Sequence, residues 1–158
     1  MVILIITQWL HVLLGITWFG ATIYADVILM PALMSLPVEK QRMVGGVIGV
    51  RTRKVITPVA MLVVVLGFIR GTFLGQLHSV GNIFGTTYGI TWLIGLIVAV
   101  AIILWAEGLL APAIKRLNTA ADSAEYAGAM QRAKVLALSE LAGFAIVFTC
   151  MILMRFGL

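Results

Sequence analysis

Of the two histidines in this chain, His11 sits inside an unbroken apolar run. An ionisable side chain in such a run reads as functional by default. At the helical rise of 1.5 Å per residue it stands about 10 Å from the outer end of that run. Gly15, Trp18 and Thr22 follow at four, seven and eleven residues, on one helical face. Gly15 leaves space beside the imidazole for a flat ligand, Trp18 supplies an apolar wall deeper in, and Thr22 adds a hydroxyl that can bond back to its own helix. Imidazole is the commonest metal ligand and a frequent haem ligand, so His11 is a candidate ligand for a metal ion or haem b. The plainer alternative is a neutral histidine hydrogen-bonded to a neighbouring helix. His78, between the second and third apolar runs, is a candidate second axial ligand or a solvated loop histidine. Arg70 interrupts the run V-V-V-L-G-F-I-R-G-T-F-L-G and returns to the depth of His11, and Arg155 lies near the matching end of the last run. A guanidinium fits carboxylates, and haem propionates are carboxylates; snorkelling to lipid headgroups is the alternative.

Three acids lie in or beside apolar runs. Asp26 and Glu107 occupy equivalent places in a repeated motif and could share a proton or a cation. They could equally pair with Arg51, Arg53, Arg132 or Lys134 and hold the helices in register. Glu140 has no repeat counterpart, which marks it as a proton-linked candidate. Met30 and Met34, and Met151 and Met154, have helical spacing. Thioethers bind Cu(I) but also serve as apolar filler. The chain has no P-loop, G-x-S-x-G, H-E-x-x-H or C-x-x-C, so a soluble-type hydrolase mechanism has no nucleophile–base pair. The single cysteine, Cys150, excludes an intrachain disulfide.

The chain that must position these groups is 62% hydrophobic and 11% charged over 158 residues. Soluble domains carry about 25% charged residues, so lipid is the fitting solvent. Four stretches, near 3–30, 55–75, 87–112 and 136–157, reach the length of about 20 residues that a transmembrane helix needs. The first has no basic residue before it and is too long for a signal peptide, so it reads as a retained helix. Nine of the eleven basic residues flank the first-to-second and third-to-fourth connections. The positive-inside rule then places those connections in the cytoplasm and both termini outside, in a bacterial-type cytoplasmic membrane. The same rule explains the basic balance without nucleic acid.

The architecture expected is all-α: one membrane domain, residues 1–158, as a four-helix bundle of two repeated hairpins, 1–80 and 81–158. Residues 25–36, A-D-V-I-L-M-P-A-L-M-S-L, match 106–117, A-E-G-L-L-A-P-A-I-K-R-L, at an offset of 81. The offset superposes Pro31 on Pro112 and Arg53 on Lys134, and sets His11 against Trp92. The motif reads as scaffold, and the break in symmetry at His11 as the site. Parallel repeats imply a pseudo-twofold axis along the membrane normal. Pro31 should bend the first helix. Residues 37–50 should form a loop, with the second helix starting between Arg51 and Thr57 and Pro58 in its first turns. Residues 75–86 should form the outer connection, the third helix should run from Tyr88 to Ala111, and Asn118 or Asp122 should cap a lead-in to the fourth.

The string H-V-L-L-G-I-T-W-F-G, residues 11–20, resembles the first helix of a group of bacterial membrane proteins. That group includes the copper-resistance D (CopD-like) proteins and the HemJ-type protoporphyrinogen oxidases. The shared H-x6-W-x-G/A pattern is carried here by His11, Trp18 and Gly20, with Arg51, Arg53, Pro58 and Gly67 as a second similarity. The resemblance covers about residues 8–70 and implies a helical bundle with His11 as a haem b or copper ligand. The HemJ-type enzymes carry a lysine after a tryptophan on a later helix, whereas Trp92 is followed by L-I-G-L-I-V-A-V. The expectation is a haem b redox protein moving electrons between a quinol or porphyrin-like reductant and an outer acceptor. Its alternatives are copper transport, or a non-catalytic place in a homo-oligomer or larger membrane complex.

Overall fold

The computed structural model describes residues 1–158, with all side chains except those of Asn118 and Ser123. Among the described residues it is helical, with no strand. Four long helices carry the chain: α1 (Val2–Met34), α2 (Val38–Gly71), α4 (Thr87–Leu117) and α5 (Ala124–Arg155). A short helix, α3 (Val80–Gly85), sits in the connection between α2 and α4. Each long helix is apolar enough to cross a membrane, and the chain is a multi-pass helical membrane protein. Isoleucine, leucine and valine crowd the outward faces: Ile16, Met61, Ile97, Leu104 and Leu138 are all more than half exposed. Such a surface suits lipid and not water.

Two boundaries differ from the sequence expectation. Residues 38–50, expected as loop, are the first turns of α2, and Pro58 lies inside that helix instead of at its start. Helix α5 likewise begins far earlier than residue 136. Hydropathy finds only the part of a helix that crosses lipid. These helices have 33, 34, 31 and 32 residues, about 50 Å each at the standard rise, against about 30 Å of hydrocarbon. The excess stands at the end that carries Lys40, Arg42, Lys115 and Arg116, here called the basic end. Asp122 caps α5, accepting from the amides of Ala124 (2.9 Å) and Glu125 (2.8 Å). The alternative cap, the Asn118 side chain, lies outside the described residues.

Both copies of the sequence motif carry the same backbone defect. Tyr24–Leu29 and Ala106–Leu110 are π-helical turns. The amide of Met30 donates to the Ala25 carbonyl, and the amide of Ala111 donates to the Ala106 carbonyl. These two bonds are 81 residues apart, like the prolines that follow them, Pro31 and Pro112. A proline has no amide hydrogen and crowds the carbonyl four residues back. Widening the preceding turn relieves the crowding without breaking the helix. Pro31 thus closely follows a π turn in α1.

Packing is heaviest within two pairs, α1 with α2 and α4 with α5; α2 meets α4 more lightly, and α1 meets α5 mainly through the rings of Trp18 and Phe19 on Phe144 and Phe148. One central layer joins all four. Trp18 of α1, Ala60 and Val63 of α2, Ile102 of α4 and Phe144 of α5 form a buried cluster. The rings of Trp18 and Phe144 meet edge to face at 4.8 Å. Beyond this layer, towards the end opposite the basic one, Trp92 crosses from α4 to α2. Its Nε1 donates to the Gly67 carbonyl at 3.4 Å, and a methyl at Gly71 would overlap its indole nitrogen.

The indole is rigid, so Gly71→Ala should cost about 1–3 kcal/mol through overpacking and lower the thermal unfolding midpoint of the detergent-solubilised protein. Gly128, exposed on α5, has open space where a methyl would go; Gly128→Ala should leave the midpoint unchanged or raise it, because alanine is the better helix former.

Candidate functional site

The light contact between the two helix pairs leaves a cavity of about 470 Å3 at the basic end, within the size range of small-molecule sites. The repeat motif builds two of its walls. Ala25, Asp26, Leu29 and Met30 face it from the π turn of α1, and Ala106, Glu107, Leu110 and Ala111 from that of α4. Glycines Gly45, Gly46 and Gly49 of α2 line a third wall, and Tyr126 and Glu140 of α5 complete it. A second, smaller cavity of about 70 Å3 adjoins it. The two share Thr22, Ile56, Thr57, Ala106, Glu107 and Glu140, and the smaller one continues to Trp18, Ala60 and Ile103 of the central layer. Together they make one recess from the basic end to the middle of the bundle.

Charge is graded along this recess. Arg42, Arg53 and Lys115 are exposed at its mouth, while Glu140 is only 5% exposed at its deep end. The mouth is held by ties between the helix pairs. Arg53 forms an ion pair with Glu107, whose other carboxylate oxygen accepts from Thr57 Oγ1 at 2.7 Å. Arg42 donates to the Ala120 carbonyl, and the Tyr126 hydroxyl donates to Gln41. The two repeat-equivalent acids therefore do different work. Glu107 is latched across the α2–α4 contact, which bears out the pairing with Arg53 considered from the sequence. Asp26 is not: its Oδ2 is buried and has no hydrogen-bond partner among the described residues. The offset that carries Asp26 onto Glu107 carries Thr57 onto Leu138, which has no hydroxyl to give. Glu140 likewise makes no hydrogen bond or ion pair with any described residue. A buried polar atom without a partner asks for an explanation; Asp26 Oδ2 is one, and the buried Glu140 faces the same cavity.

The residues chosen from the sequence divide between two levels. His11 lies beyond the central layer from this cavity. Its Nδ1 donates to the Val63 carbonyl at 3.0 Å, and its ring packs on Gly67, where a methyl would sit 3.0 Å from Cε1. A carbonyl can only accept, so Nδ1 carries the hydrogen and Nε2 holds the lone pair of the neutral ring. Arg70 stands on α2 three residues after Gly67, the glycine on which the His11 ring packs. Gly15 has open space beside it. Trp18 belongs to the central layer and ends the smaller cavity, and Thr22 bonds back to the Trp18 carbonyl at 3.1 Å. His78 and Arg155 are exposed, and neither joins the His11 group through a hydrogen bond. Neither of the two cavities reaches His11, Arg70, His78 or Arg155.

Thr57 and the cavity itself were not foreseen from the sequence. The available signal was an acid placed five residues before a proline, twice: Asp26 before Pro31 and Glu107 before Pro112. Each proline forces a wide turn, and each acid lies on that turn. The difference between the two acids should appear in stability. Asp26→Leu removes a buried oxygen that has no partner and should raise the unfolding midpoint by several degrees, since such an atom costs about 1–3 kcal/mol. Glu107→Leu breaks the latch to Thr57 and Arg53 and should lower it. A drop for both would mean that Asp26 is structural. No family model, no curated protein and no solved structure matches this chain.

Proposed function

We propose that this protein is a carrier that binds a small, largely apolar solute in the basic-end cavity. The observation that carries the reading is the pair of unpartnered acids, Asp26 and Glu140, facing a cavity of about 470 Å3 between two loosely joined helix pairs. Proteins do not keep such groups for stability, and intramembrane acids commonly mark solute or proton paths. In this reading the chain lies in a bacterial-type cytoplasmic membrane with both termini outside and the basic end in the cytoplasm. Residues 1–80 and 81–158 are parallel repeats about an axis along the membrane normal, a plan in which solutes bind at the repeat interface. The matched π turns before Pro31 and Pro112 support the duplication.

Cysteine access tests it. In a Cys150→Ala background reconstituted into vesicles, Ala25→Cys and Ala106→Cys should react with a water-soluble methanethiosulfonate applied from the basic side. Leu104→Cys, 67% exposed on the outer face of α4, should not. Unreactive cysteines at positions 25 and 106 would close the cavity to solutes and end the reading.

A second reading rests on a separate observation, the hydrogen bond from His11 Nδ1 to Val63. Metal-ligating histidines usually donate their other ring nitrogen in this way. We propose haem b as the group that Nε2 would hold, with Arg70 near enough to balance a propionate. Bound there, it would supply one-electron chemistry between a membrane quinol or porphyrin-like reductant and an outer acceptor. His78 and Arg155 would have to move inward to take part. An oxidised-minus-reduced spectrum of the purified protein should show a Soret band that His11→Ala abolishes. Colourless protein from haem-replete cells, unable to take up added haemin, would remove haem. Bound copper without a Soret band would favour the metal alternative, and a stably co-purifying partner with no cofactor would favour a subunit role.

A further inference from the structure

Resting on the carrier reading, we infer that the basic-end recess is a site for a monovalent amphipathic organic cation, held by Glu140 and Asp26 in exchange for a proton. The ligand class follows from what the recess offers at each depth. Its lining is mostly aliphatic, from Leu29, Leu33, Ile48, Ile56, Leu110 and Ile114, so the ligand must bring apolar surface. Its deep polar groups are acids. Glu140 is 95% buried, counted from its 5% exposure, it lines both cavities, and no described residue pairs with it. Asp26 adds a second oxygen without a partner. An anionic or neutral ligand would leave both acids uncompensated; a cation supplies the missing partner. At the deep end Trp18 adds an aromatic wall, and aromatic rings attract cations.

The remaining charged and titratable groups facing the recess do not cancel this bias. From α2 come Arg42, committed to the Ala120 carbonyl, and Arg53, neutralised by Glu107. From α4 comes Lys115, exposed at the mouth, and from α5 Tyr126, bonded to Gln41. None of them makes a hydrogen bond or ion pair with Asp26 or Glu140. A bare metal ion fits less well than an organic cation. Hard divalent cations want six or more oxygens, no group of three acid, histidine or cysteine side chains converges among the described residues, and the cavity is far larger than an ion. In the exchange, one proton leaves a carboxyl for water as one cation arrives, so charge balances and no bond other than O–H is broken.

The test uses two probes of one shape and opposite charge, tetraphenylphosphonium and tetraphenylborate, with the full-length protein in detergent and calorimetric readout. Tetraphenylphosphonium should bind and release about one proton, and its apparent Kd should rise at least tenfold between pH 8 and pH 5.5. Glu140→Gln should weaken binding at least tenfold and abolish the pH dependence while the unfolding midpoint is held, and Glu140→Asp should restore part of both. Asp26→Asn should weaken binding without unfolding the protein. Equal or tighter binding of tetraphenylborate would overturn the cation assignment and leave the carrier reading standing. So would failure of both probes to bind protein whose cysteines at positions 25 and 106 react. Binding of tetraphenylphosphonium unchanged in both acid variants would overturn the site.

Discussion

The rule that every backbone amide and carbonyl in lipid must find its partner within the protein governs this molecule. It forces four long helices, and it also limits how those helices can deviate. Pro31 and Pro112 each remove one donor near the basic ends of α1 and α4. Neither helix breaks. Each takes a π turn, in which the amides of Met30 and Ala111 reach back one carbonyl further than usual. A π turn inserts one extra residue into the helix, which rotates everything on its far side relative to the near side. Residues of both turns line the cavity, and Leu110 of the second also packs on Ala113, Ala133 and Leu136. The cavity opens where those turns lie. On this account the proline, the wide turn and the cavity are one feature seen at three scales.

The same turns decide what the acids do. A carboxylate on a regular membrane helix would be selected either to face a partner or to disappear. On a widened turn beside a cavity it can persist with water or a ligand in front of it. Glu107 has Thr57 at 2.7 Å and the guanidinium of Arg53. The Arg53 side chain is 59% exposed, and pairs of that exposure contribute about 0–1 kcal/mol, so the latch is better understood as setting the register of α2 against α4 than as holding the bundle together. Asp26 has neither partner, and Glu140 on α5 has no counterpart in the first half, where Val59 stands. The sequence match at offset 81 thus fails at Glu140 as well as at His11.

How much of this was legible beforehand depends on which physical signal each feature left. The four helices were plain because apolar length is a composition signal. Their basic-end extensions were not, because residues 38–50 and 124–135 are polar enough to leave a hydropathy window yet contain no proline to stop a helix. The glycines Gly45 and Gly46 looked like a loop, and helix continuity on both sides overrode their propensity. The bond from Thr22 to its own helix was readable from position alone. The partner of His11 was not, because Val63 contributes a backbone carbonyl, which any residue type would supply. The A-D/E-x-x-L-x-P-A motif reads as scaffold, since in the sequence it has charged neighbours and no sign of a hollow. A cavity is a property of what fails to pack, and its walls come from all four helices, segments up to about a hundred residues apart in sequence.

The central layer sets the remaining constraint. His11 and the recess lie on opposite sides of Trp18, and the edge-to-face contact of Trp18 with Phe144 closes the direct line between them. A solute moving from the recess towards His11 must part that contact. α1 packs heavily on α2 and α4 on α5, whereas α1 meets α5 mainly through aromatic rings. Trp18 and Phe144 belong to those two helices. The contact that any through-path must break is therefore an aromatic one between the two pairs. At the end remote from the cavity the two pairs are tied by Trp92 of α4, which packs on Gly67 and Gly71 of α2.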